Sequence, residues 1–336
     1  MPTALLAMSP KTFDLQFGPA ELARLRELVT LGTPPAVAEL TSTAARRRLA
    51  TADVLITSWG APALTAEILD AAPRLRVVLH AAGSVRGIVT DAVHERGVVV
   101  STAADANAVP VAEYTLAAVI MAGKRIPFLA GSGRTWDGTR LDALDTPVRP
   151  LGNRGRRLGI VGFSRTGRRV MELLRVLDTA EILVADPYAD AGQVAALGGR
   201  LTDLDDVLAH SEILSLHAPS LPETRRMIGA RELALLPDGA TLINTARGAL
   251  VDHDALADAC ATGRIDAILD VTDPEPLPAT SPLHRLGNVA ITPHAAGSLG
   301  NETRRLSGHV LDELGRWLRG EPLHGQVGPA EAAVSA

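Results

Sequence analysis

Short apolar runs alternate with helix-period segments along nearly the whole chain, a pattern that fits parallel strands joined by crossover helices and little else. Ala4–Met8, Asp53–Ser58, Arg76–His80 and Val98–Ser101 read as strands, with Pro19–Leu31 and Ala63–Ala71 as helices between them. A long helix-like segment follows at Asn107–Arg125, with an apolar face at Val111, Leu116, Val119 and Ile120. Pro127–Asn153, rich in Gly, Pro and Arg, reads as a boundary and an extended arm. A second series opens at Arg157. Its strands are Leu158–Val161, Glu181–Ala185, Ile213–Leu216, Ala240–Asn244, Ala267–Asp270 and Val289–Thr292, and Thr166–Leu177 is a helix. Asn301–Leu318 closes the chain as a helix, and the final EAAVSA is expected to fray.

The 336 residues suffice for about two domains of roughly 150 residues each. With 46% hydrophobic and 21% charged residues, both can have real cores, which excludes global disorder. Basic and acidic residues number 33 and 38, a net charge of −5, so no nucleic-acid partner is expected. Cys260 has no second cysteine to pair with and lies in an apolar-periodic stretch, which suggests burial. The first residues, MPTALLAMSP, lack a basic leader pattern, and Ala108–Gly123 carries Pro110 and Glu113 and falls short of the span of about 20 residues. No membrane partner and a cytoplasmic location are the expectations.

Gly162-Phe163-Ser164-Arg165-Thr166-Gly167 follows a strand and opens a helix, the context a dinucleotide fingerprint requires. Gly162 permits the tight turn, Gly167 permits close helix packing, and the helix N-terminus suits a pyrophosphate. Ser164 stands where the fingerprint has glycine, so its Cβ costs closeness while its hydroxyl offers a hydrogen bond. Taken alone, this turn is equally well an ordinary βα connection. Asp186 ends the next strand, where a carboxylate can accept from both ribose hydroxyls and repel a 2′-phosphate, which favours NAD over NADP. The competing reading is that Asp186 only caps the turn before Pro187.

Three further segments fall at strand ends: Asn244–Gly248, Asp270–Pro276 and Thr292–Gly297. They bring one Arg, one Glu and one His. That set suits reduction of a 2-oxo acid, with Arg247 gripping a carboxylate, His294 delivering a proton and Glu275 supporting the imidazolium. Singly, Arg247 reads as a surface charge, Glu275 as a loop acid and His294 as a capping or core histidine.

GFSRTG, Asp186, LHAPSLPET, NTARGALVD, DVTDPEPLP and TPHAAGS, in this order after NAVPVAE, resemble the D-isomer-specific 2-hydroxyacid dehydrogenases over nearly the whole chain. The resemblance implies two Rossmann- or flavodoxin-like doubly wound α/β domains, the NAD-binding one (105–295) inserted into the substrate-binding one (1–104 and 296–336), with a cleft between them. It assigns Arg247, Glu275 and His294 to catalysis. It assigns Gly162, Ser164, Arg165, Thr166, Gly167, Asp186, Pro219, Thr224, Thr245, Ala246, Asp270 and Gly297 to the cofactor, NAD(H). Gly83, Ser84, Val85 and Arg86 match the loop whose backbone N–H groups hold the substrate carboxylate. Arg86 and Thr272 depart from the family pattern, and Arg86 reads either as selecting a substrate with a second anionic or polar group or, equally well, as a solvent-facing arginine at a helix start. No metal is implied. The arm, with Trp136 as an interface anchor or a small core of its own, resembles a dimer-forming segment, so a C2 homodimer is expected. The partner is then a small 2-oxo or 2-hydroxy acid. Two other roles stay open: a phosphite-type dehydrogenase of the same family, and an NAD-sensing, corepressor-like binding protein.

Overall fold

A computed structural model describes residues 1–130 and 151–334, so most of the arm, including Trp136, lies outside the described residues. The chain divides into two compact units, Met1–Ala108 with Ser298–Ala336, and Val109–Gly297. Both crossings fall a few residues later than 104 and 295, because the Asn107 side chain accepts the Ser298 N–H at 3.2 Å and holds both residues in the first unit.

In the first unit β1 (Thr3–Ala7), β2 (Thr30–Val37), β3 (Val54–Thr57), β4 (Val77–His80) and β5 (Val99–Thr102) form a parallel sheet in the order β2-β1-β3-β4-β5. This is the flavodoxin order. The inner strands are buried on both faces, which is why they read as continuous apolar runs. Alternate residues feed two cores. Leu5, Leu55 and Val78 pack on one face with Leu49 and Val93, while Leu6, Ile56 and Leu79 pack on the other with Leu25, Val310 and Leu314 of the helices Pro19–Leu28 and Thr303–Leu318.

The helix expected to reach Leu31 ends at Leu28, and β2 starts at Thr30. Gly32, Pro34 and Pro35 argue against a strand interior, but β2 is a largely exposed edge strand, where missing donors are tolerated. The opposite edge, β5, is covered by the C-terminal segment. Gln326 bridges Ser101 in antiparallel fashion, Thr102 N–H donates to Gly325 O at 2.8 Å, and Val327 N–H donates to Val100 O at 3.0 Å. Glu313, buried in the helix Thr303–Leu318, anchors that segment by accepting from Ser101 Oγ (2.6 Å), Gly325 N–H (2.9 Å) and His324 N–H (3.0 Å). Of the final EAAVSA, expected to fray, Glu331 to Val334 belong to the helix Pro329–Val334, and the last two residues lie outside the described residues; Gly328 N–H donates to Glu331 Oε2, and Ala332 packs on the core.

The second unit holds β6 (Arg157–Val161), β7 (Glu181–Ala185), β8 (Arg200–Leu201), β9 (Ile213–Leu216), β10 (Thr241–Asn244), β11 (Asp266–Leu269) and β12 (Val289–Ile291). The order β12-β11-β10-β9-β6-β7-β8, with every pair parallel, is the Rossmann order. The strand order reverses between β6 and β9, so the crevice outside their C-terminal ends is where such a sheet places a ligand.

The helix expected from Asn107 starts at Ala104 and runs 20 residues to Gly123 with Pro110 inside it. It is therefore long and apolar enough by itself to cross a membrane, in contrast to the shorter span expected, and half of its most apolar window is buried within the structure.

Candidate active site

The loop after β6 owes its shape to glycine at two places. Gly162 has φ +98°, and a Cβ there would stand 2.4 Å from the Ala218 nitrogen at the end of β9. A Cβ on Gly167 would meet the Gly162 carbonyl oxygen at 2.1 Å. Ser164 N-caps the helix Arg165–Leu174, its Oγ accepting the Gly167 N–H at 3.2 Å. The serine that departs from the fingerprint thus satisfies one of the helix's open donors. Arg165 is exposed beside it, and Thr166 is half-buried.

Asp186 stands one residue past β7. Its Oδ2 accepts the Phe163 N–H at 2.7 Å and its Oδ1 the Tyr188 N–H at 2.8 Å. The turn-capping reading therefore describes part of what this side chain does, and its grip on the glycine loop was not expected. A carboxylate has about four lone-pair sites, so two remain for ribose hydroxyls. Pro219 and Thr224 close a neighbouring loop on themselves, with Thr224 Oγ1 donating to Pro219 O at 2.6 Å and accepting the Leu221 N–H at 2.8 Å.

Loops after β10, β11 and β12 carry the expected polar set. A Cβ on Gly248 would lie 2.0 Å from the Thr272 carbonyl carbon, so the loop after β10 seats directly on the loop after β11. Arg225 Nη2 reaches Asp273 Oδ2 at 3.1 Å and adds a clamp from the 219–226 loop. Within this assembly His294 Nδ1 lies 2.6 Å from Glu275 Oε1, with the two side chains 50% and 43% exposed, so the pair is open to a small molecule. Arg247, half-buried, directs Nη1 to Ala246 O at 2.6 Å, and Asn244 Nδ2 holds the Arg247 carbonyl at 2.9 Å.

His294 has φ +54°, a left-handed conformation rare for a residue with a Cβ. Its N–H donates to Asp270 O at 2.9 Å. The buried Asp270 carboxylate accepts from Thr292 Oγ1 (2.6 Å), Ala295 N–H (2.7 Å) and Ala296 N–H (2.9 Å). Expected beside the cofactor, Asp270 spends its carboxylate bracing the turn that bears His294. Thr245 is similar: its buried hydroxyl donates to Thr115 Oγ1 at 3.0 Å, since the Thr115 proton goes to Val111 O. Gly297, half-buried, ends the unit. His217, buried behind Gly162, is pushed down to about 3 by burial, so it is neutral near pH 7 and unsuited to proton donation.

In the first unit, Gly83 and Ser84 are half-buried and Arg86 is exposed, whereas the Val85 side chain is a core residue at 1% exposure. Any substrate contact by Val85 must therefore be made by its backbone. The Arg86 N–H already meets Ser84 Oγ at 3.3 Å. Asn107 Nδ2 lies 3.4 Å from the place of a Cβ on Gly83, which joins the helix to this loop. Sequence reasoning missed Tyr114, whose hydroxyl meets Thr292 Oγ1 at 2.6 Å; the available signal was a tyrosine in an apolar stripe, since a buried hydroxyl needs a partner.

Residues 133–296 match the NAD-binding domain of the D-isomer specific 2-hydroxyacid dehydrogenases. D-3-phosphoglycerate dehydrogenase of Mycobacterium tuberculosis is 35% identical over 271 residues, 80% of this chain and 50% of that protein. Glyoxylate reductase of Aeropyrum pernix is 33% identical over 258 residues, 76% of this chain and 77% of that protein. The chain thus spans about half the length of the phosphoglycerate dehydrogenases it matches. A phosphoglycerate oxidoreductase from Rhizobium etli has the same fold, with a TM-score of 0.80 at 26% identity over 98% of this chain and 99% of that one. The glycine cradle and the free lone pairs of Asp186 suit the cofactor of the matched domain, NAD(H). Kinship with the glyoxylate reductase across three quarters of both chains, on a sheet of Rossmann order, means that the chain belongs to the D-isomer specific 2-hydroxyacid dehydrogenase family.

Proposed function

We propose that this protein interconverts a 2-oxo acid and a D-2-hydroxy acid with NAD(H). The observation that carries this reading is the exposed Glu275–His294 pair on strand-end loops of an NAD-binding sheet. Glu275 occupies Nδ1 of His294, so Nε2 is the nitrogen left to face a substrate carbonyl. Protonated, His294 donates through Nδ1 to Glu275 and through Nε2 to the carbonyl oxygen; in the reverse direction Nε2 takes the hydroxyl proton. Arg247 holds the substrate carboxylate and stabilises negative charge growing on the adjacent oxygen. Within the first unit, the backbone N–H groups of Gly83, Ser84 and Val85 are the donors proposed for a substrate carboxylate, and Arg86 is proposed to favour substrates with a second anionic or polar group. Gly162, Ser164, Arg165, Thr166 and Gly167 hold the pyrophosphate and Asp186 the ribose. NAD(H), when bound, supplies or accepts the hydride.

The relatives' names make glyoxylate and the 2-oxo acid formed by oxidising 3-phosphoglycerate the first substrates to assay, each with NADH and NADPH. NADH-dependent turnover of at least one supports the reading, and activity with phosphite alone would replace it. The homodimer through the 127–150 arm is tested by light scattering on the purified chain.

A further inference from the structure

A hydrogen-bond chain links His294 to a residue 180 positions earlier in the sequence. Tyr114, on the helix Ala104–Gly123, places its hydroxyl 2.6 Å from Thr292 Oγ1, and Thr292 Oγ1 lies 2.6 Å from Asp270 Oδ1. Counting protons sets the direction. An ionised carboxylate only accepts and a threonine hydroxyl has a single proton, so that proton goes to Asp270 and Tyr114 is the donor to Thr292. Burial, aided by the charge of Asp270, holds the Tyr114 phenol above its ordinary value, which keeps it a donor. The carboxylate at the end of the chain also accepts the Ala295 and Ala296 N–H groups, which directly follow the left-handed His294.

We propose that Tyr114 is a positioning residue for His294, acting through Thr292 and Asp270. This rests on His294 being the acid/base group of the proposed reaction. Without the phenol, the Thr292 hydroxyl has one anchor instead of two, and its hydrogen bond to Asp270 Oδ1, which that oxygen accepts beside the Ala295 N–H, is held less firmly. The turn from Thr292 to Ala296 then samples orientations in which Nε2 is misaimed. A displacement of about 1 Å at a reacting group can cost up to roughly 100-fold in rate.

The test compares Tyr114→Phe, Thr292→Val, Thr292→Ser and the Phe/Val double variant on the full chain. Deuterium exchange at the Ala295 and Ala296 amides is read without substrate, and kcat and KM are read with NADH and the best 2-oxo acid. Tyr114→Phe is expected to speed exchange at these two amides several-fold and to lower kcat about tenfold with KM little changed. Thr292→Val does the same, the double variant loses no more than Thr292→Val alone, and Thr292→Ser stays near wild type, because one chain can be broken only once. Wild-type exchange in folded Tyr114→Phe, or losses that multiply in the double variant, overturns the proposal. If the wild type turns over no 2-oxo acid, the functional reading fails, and the exchange measurement still decides whether Tyr114 orders the turn.

Discussion

Glu275 Oε1 and His294 Nδ1 lie 2.6 Å apart although 19 residues separate them, and the contact joins the loop after β11 to the loop after β12. Replacing His294 by alanine is expected to lower kcat for 2-oxo acid reduction by about 10² to 10⁴. Because His294 sits apart from the glycine loop in sequence and sheet position, NADH affinity should stay close to wild type by fluorescence titration. Glu275→Gln keeps a hydrogen bond but removes the charge, so its loss in kcat should be smaller than that of His294→Ala.

Gly248 has no room for a side chain: a Cβ would stand 2.0 Å from the Thr272 carbonyl carbon and 2.5 Å from the Asp273 nitrogen, both backbone atoms. Gly248→Ala should therefore push the Thr272–Glu275 loop outward. Overpacking of this kind costs about 1–3 kcal/mol, read by urea denaturation. A matching fall in kcat is expected, since Glu275 rides on the displaced loop.

Ser164 separates two effects that share one position. Ser164→Ala removes the cap on the helix Arg165–Leu174 and should cost about 1 kcal/mol, whereas Ser164→Gly costs only a few tenths. Glycine also lets the backbone come closer to a pyrophosphate, so the dissociation constant for NADH should fall in Ser164→Gly and not in Ser164→Ala. Calorimetric titration of both variants checks this.

Glu313 makes stability depend on acid. Burial alone would raise its carboxyl, but the Ser101 hydroxyl, the Gly325 and His324 N–H groups and nearby His309 outweigh burial and hold it below the ordinary 4.5. A lowered folded-state value gives stability that is full above the ordinary value and is lost as pH falls through the folded one. Glu313→Gln should therefore lower the denaturation midpoint at pH 7, and its deficit relative to wild type should shrink as the pH falls below about 4.

Arg86 is exposed on the loop proposed to receive substrate. Arg86→Ala should reduce kcat/KM for a dicarboxylate or phosphorylated 2-oxo acid about tenfold more than for glyoxylate, in keeping with the loss of one charge-assisted contact. Equal losses on both substrates would remove Arg86 from substrate selection.

The path from β6 through Gly162 and the helix Arg165–Leu174 to β7 and Asp186 was legible because each step has a local signature: an apolar run, a glycine turn and an acid at a strand end. So was the α/β class, since buried parallel strands read as unbroken apolar runs. β2 was hidden by its own prolines, and β8, two residues at a sheet edge, has no run to detect. The side chains of Val85 and Asp270 turned inward for reasons that alternation does not reveal: one completes a core, and the other braces a turn. The contact between Tyr114 and Thr292 spans 178 residues and has no local pattern at all.

Both edges of the five-stranded sheet are altered against extension by a foreign strand. On one side the prolines of β2 withhold donors, and on the other the 325–327 segment occupies β5. Unpaired strand edges recruit other chains by adding hydrogen-bonded strands, the route to templated aggregation and to β-augmentation by peptides. The first unit is therefore guarded against both routes, most fully at β5, and the carboxylate of Glu313 keeps that guard in place.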